Sequence, residues 1–220
     1  MRKLRLPIVN EAELLDRPDS GKLARHRRTY DPISPEAFDA IVAEAIHCQN
    51  YPWAVCARFL WQTMGRISDA FWLRWEDLDL VAGRVNIRWP KAGAPKPKVL
   101  FPDLCEDLRS LRALERAGPS DAVFRPGLPR PTEPKDQRTP RQAFRQWFHR
   151  GLTRYAKASG HRQRVWPHQI RGSAATALAK EGANRLAIQT QGGWASEQGL
   201  RPYLKVVAED YRDELGVLDR

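Results

Sequence analysis

Histidine and arginine side chains both bind phosphate. The stretch HQIRGSAATALA (residues 168–179) sets His168 and Arg171 three positions apart at the head of a small-residue, helix-favouring run. Far upstream, GRISDAFWLRWEDLDL (65–80) pairs Arg66 with Asp69 at the same spacing. Two arginines suit phosphodiester cleavage, because a rigid guanidinium fork offsets charge on the non-bridging oxygens better than an ammonium does. A tyrosine hydroxyl titrates near ~10, so it attacks phosphorus only when positioned in a positive surround. Tyr203 and Tyr211 are the tyrosines that follow Arg171. Lys91 or His168 could protonate a departing sugar oxygen, and the Trp194 indole N–H could reach a phosphate oxygen. With cations carrying the electrostatic load, no metal is required.

Each of these residues also has a plainer reading. Arg66 and Asp69 suit a helix-start salt bridge, and both roles coexist if Asp69 orients Arg66. His168 suits an ordinary helix N-terminus. Trp194 is one of eight tryptophans and could be core, while Lys91 shares its hairpin with Lys96 and Lys98.

Charge distribution favours the phosphate reading. The chain carries 37 Lys+Arg against 26 Asp+Glu, a formal net charge of +11. No acidic residue lies between Asp136 and Glu181, whereas Arg138, Arg141, Arg145, Arg150, Arg154, Lys157, Arg162, Arg164, Arg171 and Lys180 all do. A GC-rich genome would enrich arginine, but would not segregate it in this way. Such a stretch repels itself unless a polyanion lies across it, and nucleic acid is the partner this predicts. The three cysteines, Cys48, Cys56 and Cys105, show no CxxC spacing, which suggests reduced thiols in a cytoplasm and no zinc site. No apolar run of about 18 residues would span a membrane, and MRKLRLPIVNEAELL lacks the apolar centre of a signal peptide.

The elements that must position these side chains read as mainly α with a small β-hairpin. Residues 1–32 are polar, carry KLARHRR (22–28), and form an expected basic arm. Ser34 and Pro35 open a helix with Phe38, Ile41, Val42, Ala45 and Ile46 on one face. Further helices are expected over 52–64 and 68–73. GRVNIRW (83–89) alternates as a strand, PKAGAPKPK turns, and VLF (99–101) returns. Leu104, Leu108, Leu111 and Leu114 mark another helix, and six prolines make 118–140 a loop. Over 141–159, Phe144, Trp147, Phe148, Leu152, Tyr155 and Ala156 recur at helical spacing and read as core. Helices over about 170–181, 184–191 and 198–214 complete the chain.

In this order and spacing, Arg66, Asp69, Lys91, His168, Arg171, Trp194 and Tyr203 resemble the catalytic domain of the tyrosine recombinases, the phage integrase family. That pattern sets an arginine in Arg-Ile-Ser-Glu/Asp, a lysine on a β-hairpin, His-x-x-Arg, a His or Trp after glycine, and a tyrosine. The resemblance runs from about residue 33 to 207. It implies an α+β catalytic domain that cuts and rejoins DNA at specific sites through a 3′-phosphotyrosine. Arg66, Arg171, His168 and Trp194 would hold the phosphate, Lys91 on the hairpin would be the acid, and Tyr203, nine positions past Trp194, the nucleophile. No cofactor is implied, since the phosphotyrosine conserves the bond energy. Self-association on DNA is implied, with an accessory DNA-bending or directionality protein as a further partner.

The sequence also departs from the pattern. Thr63-Met64-Gly65-Arg66 replaces Thr-Gly-x-Arg, Gly172 stands where many members have a second histidine, and QGGW replaces Leu-Gly-His. Only about 32 residues precede the catalytic stretch, so the usual N-terminal core-binding domain is expected to be absent. The alternative to a recombinase is a non-catalytic DNA-binding protein on the same fold, a decayed integrase fragment or a regulator. Relaxation of supercoiled DNA, as by a type IB topoisomerase, is a third outcome of the same chemistry.

Overall fold

A computed structural model describes residues 31–87, 97–124 and 138–204. The arm, the hairpin tip and the residues after Leu204 lie outside them. The first helix, α1 (Pro35–His47), begins where expected: the Ser34 hydroxyl accepts the Ala37 N–H at 3.2 Å, and Pro35 occupies the first turn. Phe38, Ile41, Val42 and Ala45 are buried. Ile46 is not: it lies 42% exposed, past the edge of the stripe.

Next come α2 (Tyr51–Gln62), buried over most of its length, and α3 (Ile67–Trp72). A 3-10 turn, Trp75–Asp77, leads to β1 (Leu78–Asp79). The sheet holds three antiparallel strands among the described residues, β1, β2 (Arg84–Asn86) and β3 (Pro97–Val99), in that order. Leu78 pairs with Val85, and Val85 with Lys98. The sequence reading missed β1, which offers only two residues of pattern, and set the returning strand two residues late.

Helix α4 (Pro102–Glu115) buries Leu104, Leu108 and Leu111 and leaves Leu114 exposed. The proline-rich stretch does not stay outside the core. Val123 and Phe124 are fully buried, and the Val123 N–H donates to the Leu73 carbonyl at 3.0 Å. Helix α5 (Arg138–Ala158) starts three residues earlier than its aromatic pattern. Its Phe144, Phe148, Leu152 and Tyr155 are core, as expected. At Gly151 a side chain would meet the Trp53 ring, whose indole N–H donates to the Phe148 carbonyl at 3.2 Å.

Helix α6 (Pro167–Lys180), α7 (Arg185–Gly192), a short α8 (Glu197–Leu200) and a 3-10 turn, Arg201–Tyr203, follow. They enclose a second apolar cluster of Met64, Ala174, Ala175, Ile188, Trp194 and Leu200. This cluster is the floor on which the candidate site stands.

Candidate active site

The site is assembled from backbone outward. Helix α2 ends at Met64, which is fully buried and adopts a left-handed conformation, φ 45°. Glycine is the residue that takes such a conformation without cost. The family pattern puts its glycine at that very position, two before the arginine; here the backbone turn persists with a methionine in it. Arg66 then caps α3, and the Asp69 carboxylate accepts the Arg66 N–H at 2.8 Å. Asp69 is thus an N-terminal capping acid, 7% exposed, that fixes where Arg66 leaves the chain.

Pro167 opens α6, so His168 and Arg171 sit in its first two turns. Arg171 is 2% exposed. One guanidinium nitrogen, Nη1, donates to the carbonyls of Met64 and Gly192, the latter at 2.7 Å. The guanidinium carbon lies 3.8 Å from the centre of the Trp194 ring, a cation–π contact. The other nitrogen, Nη2, is buried with no hydrogen-bond partner among the described residues. Burial and then the charge of Arg66 push the Arg171 pKa down to about 10, against the pull of Asp69 and Tyr203, and it stays charged at neutral pH.

Trp194 is therefore both core, 8% exposed, and the shelf beneath Arg171. Gly192 permits this, because a Cβ there would lie 1.7 Å from the Trp194 ring. A bulky indole in place of the family's histidine fits beside a residue with no side chain.

Tyr203 completes the cluster. Its hydroxyl lies 3.1 Å from His168 Nε2, and its ring centre 5.6 Å from that of Trp194. The Thr176 hydroxyl, one and a half turns along α6 from Arg171, lies 2.8 Å from the Tyr203 carbonyl, which hooks the tyrosine segment to that helix. His168 keeps an edge open to solvent. Partial burial of its ring, then the charges of Arg171 and Arg66, hold its pKa below the ordinary value of 6.5.

A groove of about 1060 Å³ runs from this cluster, lined by Arg66, Ser68, Trp72, Arg141, Gln142, Arg145, Gln146, His149 and His168 among others. Of the basic residues on α5, Arg141 and Arg145 face it. Arg150, Arg154, Lys157, Arg162 and Arg164 are exposed but do not line it. The Arg138 side chain and all of Lys91 lie outside the described residues. Sequence reasoning placed no weight on Lys98, yet its ammonium donates to the Thr63 carbonyl at 2.8 Å and the Gly192 carbonyl at 3.4 Å. Among the described residues no group of three or more metal-ligating side chains occurs, and no helix is long and apolar enough to cross a membrane.

Helices wrapped on a small three-stranded sheet, with this arginine, histidine and tyrosine grouping, define the fold of a tyrosine recombinase catalytic domain. Solved structures bear this out. XerA recombinase superposes with a TM-score of 0.68 at 18% identity, over 86% of this chain and 65% of that one. XerH site-specific recombinase bound to a palindromic difH substrate gives 0.66 at 15%, over 86% and 53%. A lambda integrase dimer bound to a COC′ core site gives 0.56 at 16%, over 89% and 55%. The chain belongs to the phage integrase family, whose profile matches residues 33–209. It spans between half and two-thirds of the length of these three structures. No curated protein sequence matches it.

Proposed function

We propose that this chain is a site-specific DNA recombinase or integrase that cuts and rejoins DNA through a 3′-phosphotyrosine. One observation carries the reading. The Tyr203 hydroxyl meets the His168 imidazole at the edge of a groove lined by His168, Arg66, Arg141 and Arg145, and Arg171 follows His168 by one turn of α6. Arg66 and Arg171 offset the charge on the non-bridging oxygens. Tyr203 attacks phosphorus, its proton passes to neutral His168, and the bond from phosphorus to the 5′ oxygen breaks. The departing oxygen takes a proton from Lys91, the acid implied by the family pattern. Reversal by a different 5′ hydroxyl rejoins the strand without a cofactor. The DNA complexes of XerH and the lambda integrase dimer support double-stranded DNA as the partner, with self-association on it.

Incubation with a duplex nicked just downstream of the cleaved phosphate tests this, because the short 5′-hydroxyl strand diffuses away and prevents reversal. A denaturant-resistant adduct is the expected result. Specific binding without any adduct, on its own target site and with partners supplied, would establish the non-catalytic reading instead.

The groove and the proton path make two further predictions. Replacing Arg141 and Arg145 by alanine should weaken binding to all sequences and reduce the slope of log affinity against log salt by about 2, at ~0.9 for each phosphate no longer neutralised. An unchanged slope in the folded double variant removes these residues from the footprint. For pH, His168 accepts a proton from Tyr203 only while neutral. Adduct formation should fall as pH drops through the His168 pKa, with a midpoint below 6.5. His168→Gln should be slow and lack that limb, and a limb that persists in it would assign the titration elsewhere.

A further inference from the structure

Strand β3 is built inside out. Lys98 is 5% exposed, while the apolar Val99 and Phe101 on either side of buried Leu100 are 52% and 51% exposed. Successive strand residues point to opposite faces, so the register that buries Lys98 and Leu100 turns Val99 and Phe101 outward. A slip of one residue would bury Val99 and Phe101 in exchange for Leu100, a net gain of one apolar side chain, and return the ammonium to water. The observed register gives up both advantages, and burying a cation beside other cations adds to the cost. Burial pushes the Lys98 pKa down to about 8; Arg171 and Arg66 act the same way, and Asp69 opposes them.

What the ammonium touches accounts for the choice. The Gly192 carbonyl it approaches is the one that Arg171 Nη1 uses. The Thr63 carbonyl belongs to the residue before Met64, whose own carbonyl is the other acceptor of Arg171. Lys98 and Arg171 thus grip the same two segments, the 63–64 turn and the end of α7 at Gly192. Beside them, the Gln191 amide donates to the Val99 carbonyl at 2.8 Å and the Gln62 carbonyl at 3.0 Å, and accepts the Val99 N–H at 3.0 Å. The sheet edge is stitched to the loop that presents Trp194.

We propose that Lys98 is a positioning residue: its ammonium ties the 63–64 turn to the 192–194 loop and so holds the two carbonyl-bearing segments and the Trp194 ring that seat the Arg171 guanidinium. The catalytic part of this rests on the strand-transfer reading above. Lys98→Met keeps the length of the side chain and removes the donor. On the nicked duplex it should form adduct at least about tenfold more slowly, with DNA affinity within about twofold of wild type. Amide exchange across 188–196, where the Gly193 and Trp194 N–H groups donate to Thr190 and Gln189, should accelerate about fivefold or more. Lys98→Gln, shorter but polar, provides the same comparison if the methionine variant does not fold. Wild-type cleavage in a folded variant overturns the proposal. So does slow cleavage with unaltered exchange, or a loss of rate matched by loss of affinity. If wild type forms no adduct at all, the strand-transfer reading fails by itself. The exchange measurement then decides the tie: faster exchange supports it and unchanged exchange refutes it.

Discussion

Tyr203→Phe is expected to abolish the covalent adduct while leaving DNA affinity within about twofold of wild type. The substitution removes one oxygen, the one 3.1 Å from His168 Nε2. The ring stays on Trp194, and the backbone anchor through Thr176 does not involve the side chain. Loss of the exposed hydrogen bond to His168 should cost less than about 1 kcal/mol of stability. Denaturing electrophoresis of protein incubated with labelled nicked duplex reads the adduct, and a gel shift on the intact duplex reads binding. Tyr211→Phe should cleave at close to the wild-type rate, because the nine-residue interval from Trp194 selects Tyr203. An adduct that survives in Tyr203→Phe and disappears in Tyr211→Phe would move the nucleophile and break the pairing with His168.

The parts of this molecule that were legible in the sequence are those with local causes. Ser34, Pro35 and a 3.6-residue apolar stripe specify α1, and the aromatic period specifies α5 and its buried face. The candidate residues were chosen because residue type and order suggest the chemistry, and the structure sets the two guanidiniums, the imidazole, the indole and the phenol near one another, with Lys91 outside the described residues. What could not be read there depends on long-range partners. β1 exists only because Leu78 and Asp79 pair with β2. Val123 is core because Leu73 offers it a carbonyl. Lys98 looks like one more solvated hairpin lysine until two carbonyls from distant segments are placed around it. The period-two signal was present, since Lys98 and Leu100 share a face, but it sets one apolar residue and a lysine against Val99 and Phe101 on the other face, so patterning favours the opposite register. Met64 is similar: its left-handed turn gives no signal in a residue that rarely adopts one.

These exceptions gather at one place, and they bear on the second large effect, Arg171→Lys. Arginine at 171 does three things with one planar group. Nη1 closes the Met64 and Gly192 carbonyls, the guanidinium lies over Trp194, and Nη2 is left without a hydrogen-bond partner among the described residues, the donor proposed to serve substrate. A lysine keeps the charge but brings a single, strongly hydrated nitrogen that cannot stack on the indole or serve carbonyls and phosphate in two directions at once. Its ammonium would stand beside Lys98, with the Gly192 carbonyl between them. Adduct formation should slow by about a hundredfold, on the order of 3 kcal/mol of transition-state stabilisation. Binding should weaken far less, because the charge survives and most phosphate contacts lie along the groove. Single-turnover cleavage of the nicked duplex, with a thermal unfolding curve to show that the variant is folded, separates the two quantities. If folded Arg171→Lys cleaves at the wild-type rate, Arg171 serves the loop and not the phosphate. The unpartnered nitrogen would then need another explanation.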